Sequence, residues 1–204
     1  MTTELDIGGF RVLPDFLTPG RQRALLADLR GVVAEAPFYT PEMPGTAQPF
    51  SVRMSNCGLL GWVSDKAGYR YQPRHPVTDR AWPPMPESLL SVWREVTDAP
   101  PPESALINLY RGKARMGLHR DDTEEALDVP VVSISLGDTA VFRMGGERRR
   151  GKTRSVRLSS GAVVVMGGAA RLCYHGVDRI IPATSGLLEG GGRLNVTLRR
   201  VRRA

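Results

Sequence analysis

The sequence predicts a mainly β fold, an antiparallel sandwich or barrel with flanking helices. Three observations predict it. Seven short runs rich in β-branched residues follow one another between residues 105 and 201, separated by glycine-rich and polar turns. Helical three- and four-residue spacing of apolar positions occurs only upstream of that region. The length of 204 residues supports one core, and we expect a single domain over 1–204.

The elements follow in order. Phe10 to Leu13 reads as a short opening strand, and Thr18-Pro19 places a capping hydroxyl before a proline suited to a first helical turn. Leu25, Leu26, Leu29, Val32 and Val33 then form one apolar stripe that Pro37 stops, the pattern of a packing helix. Residues 39–86 interleave prolines and glycines with Phe50, Trp62, Tyr69, Tyr71 and Trp82, which suits ordered loops and short strands and marks a recognition segment. A second helix is predicted from Pro86 to about Ala99, with Leu89, Trp93 and Val96 on one face and three prolines beyond. The strand-rich region comprises Ala105 to Tyr110, Val129 to Leu136, Ala140 to Met144, Ser155 to Leu158, Ala162 to Met166, Arg171 to Val177 and Arg193 to Val201. Gly190, Gly191 and Gly192 form a turn before the last of them.

Composition narrows the setting. Lysine and arginine exceed aspartate and glutamate by seven, so the chain attracts polyanions, although charge alone does not separate a nucleic-acid binder from a merely basic protein. The longest weakly polar run, Gly161 to Ala170, is far shorter than the about 20 residues of a membrane span. The first residues lack the basic-then-apolar pattern of a secretory signal, and two cysteines, Cys57 and Cys173, make no disulfide framework. We therefore expect a cytoplasmic protein, acting as a monomer.

Three residues have the makings of a metal site. His119 and Asp121 are one residue apart, so in extended backbone both side chains point to one side and can reach one ion. His175 lies near the end of another predicted strand. Two imidazoles and one carboxylate on one face of an octahedral ion leave cis positions open, as oxygen activation at iron(II) requires. His-x-Asp alone is weak and equally describes a surface pair. Cys173, by alternation on the face of His175, would favour zinc as a thiolate, but a lone cysteine more often packs in a core. In the last strand Arg193, Asn195, Thr197 and Arg199 alternate with Leu194, Val196 and Leu198. Two arginines and an amide on an inner face need an anionic partner, which a dicarboxylic acid supplies, and Asn108 and Tyr110 offer an amide and a phenol from a second strand.

Several segments together resemble the AlkB family of Fe(II)/2-oxoglutarate-dependent nucleic-acid dealkylating dioxygenases: Met54–Trp62, Gly68–Tyr71, Trp82–Pro86, Leu106–Tyr110, Leu118–Asp121, Val131–Gly137, Tyr174–Gly176 and Arg193–Arg199. The resemblance covers about Pro37 to Arg200 and implies a double-stranded β-helix, or jelly-roll, as the catalytic core over 105–201. It implies His119, Asp121 and His175 as iron ligands, and Asn108, Tyr110, Arg193, Asn195 and Arg199 as the 2-oxoglutarate contacts. It makes Trp62 the stacking partner of the damaged base, with Tyr69, Tyr71 and Arg149 beside the substrate. The implied reaction uses O2 to demethylate N1-methyladenine and N3-methylcytosine lesions in alkylated DNA or RNA, presented as a single strand or a flipped base. Its products are succinate, carbon dioxide and formaldehyde. The sequence departs from the family pattern at Thr123, where an acidic residue helps recognise the base; Asp122 and Glu124 flank it.

The clusters Arg148, Arg149, Arg150, Lys152 and Arg154, and Arg199 to Arg203, are candidate phosphate contacts or solvated turns and tails. Two rivals stay open. The same oxidation could act on a protein or small molecule, or a jelly-roll without catalytic activity could bind nucleic acid through its basic loops.

Overall fold

The computed structural model describes residues 4–203; Met1 to Thr3 and Ala204, the ends of the expected 1–204 domain, lie outside the described residues. Two β-sheets face each other, and two helices cover the far side of the larger one. The strands are β1 (Leu5–Ile7), β2 (Phe10–Leu13), β3 (Arg53–Gly58), β4 (Gly61–Asp65), β5 (Gly68–Gln72), β6 (Ser104–Tyr110), β7 (Met116–His119), β8 (Val131–Gly137), β9 (Thr139–Met144), β10 (Arg154–Leu158), β11 (Val163–Met166), β12 (His175–Ile181) and β13 (Arg193–Arg199). The helices are α1 (Pro19–Glu35) and α2 (Glu87–Val96). A seven-stranded sheet runs β1-β2-β11-β8-β13-β6-β3 and a four-stranded sheet runs β10-β9-β12-β7, while β4 and β5 form a separate hairpin. Every pairing is antiparallel.

Period-two alternation sorts the large sheet's side chains into two cores. Ala105 and Ile107, Val132, Ile134 and Leu136, Val163 and Val165, and Leu194, Val196 and Leu198 turn outward against Leu25, Leu29, Leu89, Val92 and Trp93 of the helices. Leu106, Tyr110, Val131, Val164 and Met166 turn inward against Phe142, Met144 and Val177 of the small sheet. The large sheet is thus covered on both faces, which is why its central strands carry few exposed side chains. The polar residues of β13 and β6 lie on the inward face, in the gap between the sheets. Among the described residues, both α-helices pack on the large sheet, on the side away from the small one.

Thr18 caps α1 as predicted, its hydroxyl accepting from the Arg21 amide at 3.3 Å behind Pro19. The second helix is shorter than expected. Thr97 is already extended (φ −154°, ψ 147°), so α2 stops before the prolines rather than running to Ala99.

The strand expected over 171–177 is a correction. A 3-10 turn (Gly168–Ala170) and a further turn carry the chain to Tyr174, and extended pairing begins at His175, which heads its strand rather than ending one. Alternation therefore does not relate Cys173 to His175. The Cys173 thiol donates to the Ala169 carbonyl at 3.2 Å, and its side chain packs in the inner core. In the predicted recognition segment, β3 joins the large sheet and only β4 and β5 project as a hairpin. No helix among the described residues is long and apolar enough to cross a membrane.

Candidate active site

A cavity of about 150 Å³ opens between the sheets. His119 ends β7 and His175 begins the neighbouring β12, directly paired in register, so the two imidazoles emerge on one face with ring centroids 4.6 Å apart. Asp121, two residues beyond the end of β7, turns back to the same point. Ligating atoms of the three residues lie within 4.8 Å of one another.

Hydrogen bonds fix the tautomers. His119 Nδ1 donates to the Gly117 carbonyl at 2.9 Å and His175 Nδ1 donates to the Cys173 carbonyl at 3.1 Å. A carbonyl only accepts, so each Nδ1 carries the proton and each Nε2 offers a lone pair. Those Nε2 atoms stand 3.9 and 3.8 Å from the two oxygens of Asp121. Burial, reinforced by the neighbouring His119, pushes His175 down to about 4, so it stays neutral and able to ligate through the physiological range. Burial alone would raise Asp121, but Arg199, followed by the two imidazoles, outweighs it and holds the carboxyl well below the ordinary aspartate range. Arg199 grips Asp121 Oδ2 through Nε at 3.2 Å and Nη2 at 2.9 Å, which orients the carboxylate.

This donor set fits a divalent iron with open positions. It offers two neutral imidazoles and one carboxylate, and no thiol is near enough to close the site.

The gap also holds buried polar atoms without partners. Asn108 Oδ1, Arg193 Nε and Nη1, and Arg199 Nη1 make no hydrogen bond. Arg193 is 1% exposed, and its protein contacts are the Ser135 hydroxyl at 2.9 Å and the face of Tyr110 at 5.4 Å. A buried guanidinium without an anion is costly, and an anion with two oxygens relieves it. Burial depresses Arg193 and pushes Tyr110 up to about 12, so the phenol stays protonated and able to donate. The orphaned N–H groups of Arg193 and Arg199 are the donors a small diacid needs.

Asn108, Tyr110, Asn195 and Arg199 line the cavity with the triad, whereas Arg193 stands behind Tyr110 and does not reach the wall. Trp62 of β4 and Tyr69 of β5 stack at 5.3 Å with planes 24° apart and line the same cavity. Tyr71 is not part of the wall; it points inward, and its hydroxyl donates to Glu124. Arg149 is exposed on the turn between β9 and β10, outside the cavity. Thr123 lines the cavity, and Asp122 beside it pairs with Arg120 at 2.7 Å. Glu124 faces away from the opening, buried against Arg171 at 3.1 Å and Arg199 at 3.5 Å. Of the basic tail, Arg200 and Arg202 are tied to the buried Glu103 at 3.7 and 2.6 Å.

Sequence reasoning missed Arg171 and the role of Glu124. Arg171 donates to the Asp121 carbonyl at 2.5 Å, to the Val129 carbonyl at 2.7 Å and to Glu124, clamping the loop that carries Asp121. It also missed Ser133 and Ser135, whose hydroxyls accept from Asn195 at 2.7 Å and Arg193 at 2.9 Å. Their signal was available: two serines in step within an otherwise apolar strand.

Comparison with known proteins agrees with this chemistry. Residues 9–199 match the family model of the 2OG-Fe(II) oxygenase superfamily. The chain is 52% identical over 199 residues to an alpha-ketoglutarate-dependent dioxygenase AlkB homolog of Caulobacter vibrioides, covering 97% of this chain and 90% of that one. It is 38% identical over 183 residues to the alpha-ketoglutarate-dependent dioxygenase AlkB of Escherichia coli, covering 86% and 83% of the two chains. The solved structure of OsALKBH1 superposes with a TM-score of 0.82 at 28% identity, covering 97% of this chain and all of that one. An open triad beside a buried guanidinium without an anion and matches of this extent lead to one conclusion: the chain belongs to the AlkB family of 2-oxoglutarate- and Fe(II)-dependent dioxygenases.

Proposed function

We propose that this dioxygenase demethylates alkylated nucleic-acid bases of the N1-methyladenine and N3-methylcytosine type, in DNA or RNA, taking the base from a single strand or flipped from a duplex. The observation that carries the reading is a coincidence in one cavity: the His119–Asp121–His175 cluster and the stacked Trp62 and Tyr69 share its wall. A flat aromatic surface beside an oxidising centre suits a planar base, and stacking contributes about 1–3 kcal/mol per base. It gives little to a flexible peptide side chain.

In this reading Nε2 of His119, Nε2 of His175 and the Asp121 carboxylate hold the iron. Asn108, Tyr110, Asn195 and Arg199 hold 2-oxoglutarate from the cavity wall, and Arg193, over the Tyr110 ring behind it, supplies the positive charge and free N–H groups for its far carboxylate. Bound iron(II) and 2-oxoglutarate supply the oxidation of the methyl carbon by O2, with release of succinate, carbon dioxide and formaldehyde. The protein's own contribution is alignment and exclusion. Arg199 keeps Asp121 ionised and oriented, Arg171 holds its loop, and the Phe142, Met166 and Met116 side chains keep the inner wall apolar. Tyr71 braces the recognition hairpin on Glu124 rather than touching substrate. Two buried, free cysteines suit a cytoplasmic setting.

The test is direct. Protein supplied with iron(II), 2-oxoglutarate, air and an oligonucleotide bearing one methylated base should yield unmodified base together with formaldehyde and succinate. Persistence of the methylated base while 2-oxoglutarate is consumed would turn the reading toward another prime substrate.

A further inference from the structure

The chain's excess charge sits in one place. Residues 139–181, the stretch from β9 to β12, hold nine of the basic and two of the acidic side chains, an excess of seven that equals that of the whole chain. The remainder is neutral. Many arginines elsewhere are paired: Arg11 with Glu4, Arg21 with Glu95, Arg70 with Asp65, Arg94 with Glu87 and Arg202 with Glu103. By contrast Arg143, Arg148, Arg149, Arg150, Lys152, Arg154 and Arg157 make no ion pair among the described residues.

Register places part of this charge on the outward face of the small sheet. Ala140, Phe142 and Met144 of β9 point into the inner core, so Val141 and Arg143 point out. Val141 pairs with Arg157 on one side and Arg179 on the other. Arg143 pairs with Ser155 and Gly176, which add no bulk beside it. The result is a shallow strip bearing Arg143, Arg157 and Arg179, continuous with the arginine-rich turn between β9 and β10. Its one carboxylate, Asp178, is occupied by Arg179 at 2.9 Å. Val141 lies three residues along β9 from Met144, the partner of His175, a distance of about 10 Å at ~3.3 Å per residue. A base in the cavity does not reach it.

We propose that this outward face is a second nucleic-acid contact: Arg143, Arg157 and Arg179 hold the phosphate backbone of the strand whose damaged base enters the cavity, beyond the nucleotides at its mouth. The inference rests on the proposed nucleic-acid substrate. Charge complementarity selects the occupant. An open row of guanidiniums at strand spacing, of which only Arg179 has a carboxylate partner, matches a regularly charged backbone, and phosphate contacts of this kind position a strand without reading its sequence.

The experiment compares a methylated trinucleotide with a methylated strand of about 15 nucleotides. Affinity is measured by fluorescence anisotropy across a salt series, on wild type and on the double variant Arg157→Ser/Arg179→Ser, with circular dichroism to verify the fold. The wild type should bind the long strand more tightly than the short one. The variant should lose most of that advantage, its plot of log affinity against log salt flattening by about 1.4, at ~0.7 for each single-strand phosphate contact. The pair Arg157→Lys/Arg179→Lys should restore the slope. A folded serine variant with the wild-type slope and length dependence overturns the proposal. Methylated trinucleotide turned over without any length advantage defeats this face alone. Length-dependent binding that needs Arg157 and Arg179, without turnover of either substrate, supports the face and defeats the demethylase reading.

Discussion

Arg193 is a residue whose cost to the fold and value to function can be separated. Two of its nitrogens are buried and unpartnered, each carrying a penalty of about 1–3 kcal/mol, while one bond to Ser135 and the Tyr110 face offset part of it. Replacing it by Met, similar in length and apolar, should leave the ligand-free protein as stable as wild type or more stable by about 1 kcal/mol. The same change should raise KM for 2-oxoglutarate roughly 10- to 100-fold, the equivalent of one or two charged hydrogen bonds. Urea unfolding and steady-state kinetics check the pair, and a marked loss of stability with unchanged KM would show Arg193 to be structural only. Trp62 makes the complementary case. Trp62→Ala removes the stacking surface and should lower kcat/KM on methylated oligonucleotide by roughly 5- to 150-fold, while slow 2-oxoglutarate consumption without prime substrate continues. Equal loss of both would place Trp62 in the cosubstrate site instead. At this scale the sequence was most informative where the residue type itself is unusual. Arginines and asparagine in step on a strand announced a polar inner face. Glu124 and Arg171 gave no such sign, because a buried ion pair across 47 positions is invisible until the fold brings its partners together.

Elements depend on a few anchors, and Asp138 is one of them. It follows β8 directly, and its carboxylate accepts from the Thr184 amide at 3.0 Å, the Ser185 amide at 3.1 Å and the Gly192 amide at 2.8 Å. These bonds fold the 182–192 loop back onto the large sheet and deliver Arg193 opposite Tyr110. Gly192 is required there: its φ is +91°, and a Cβ would lie 2.6 Å from the Tyr110 carbonyl. Burial would raise Asp138, but the amides outweigh it and its carboxyl is held below the ordinary range. A carboxyl depressed in the fold stabilises above its unfolded value of about 3.9 and loses that contribution as pH falls through the folded value. Asp138→Asn should therefore cost about 1–3 kcal/mol at neutral pH, with a narrower gap to wild type at about pH 3, below the unfolded value. Urea titrations at the two pH values decide it, and a gap that stays as wide in acid would mean the loss is one of shape rather than charge. The sequence foretold the strand that Asp138 feeds, because alternation is a local pattern. It misplaced the start of β12, because Leu172, Cys173 and Tyr174 are apolar enough to imitate a strand while the preceding 3-10 turn carries them round as a corner.

The whole molecule is a stack of helices, large sheet, small sheet and solvent, with the charges distributed accordingly. Alternation along each strand was enough to foresee a two-faced β core. The strand order was not legible, because β13 sits between β6 and β8 by pairings of residues 56 to 95 positions apart. That layering holds the unpaired Arg193 and the triad in the gap between the sheets, so ligand binding there should stabilise the molecule as a unit. A ligand that binds only the folded state adds about 2.7 kcal/mol at a hundred times its Kd. For a chain of 204 residues, at about 2–4 °C per kcal/mol, that is a rise in Tm of roughly 5–10 °C. Manganese(II) with 2-oxoglutarate, which fills the site without turnover, should produce this rise, and manganese alone should produce less. Chelation should reverse it. Arg193→Met should abolish the increment due to 2-oxoglutarate while keeping the one due to metal, because its loss leaves His119, Asp121 and His175 in place. Differential scanning fluorimetry reads all four states. If 2-oxoglutarate raises the Tm of Arg193→Met as much as that of wild type, the diacid lies elsewhere in the gap, and the orphaned guanidinium answers to some other anion.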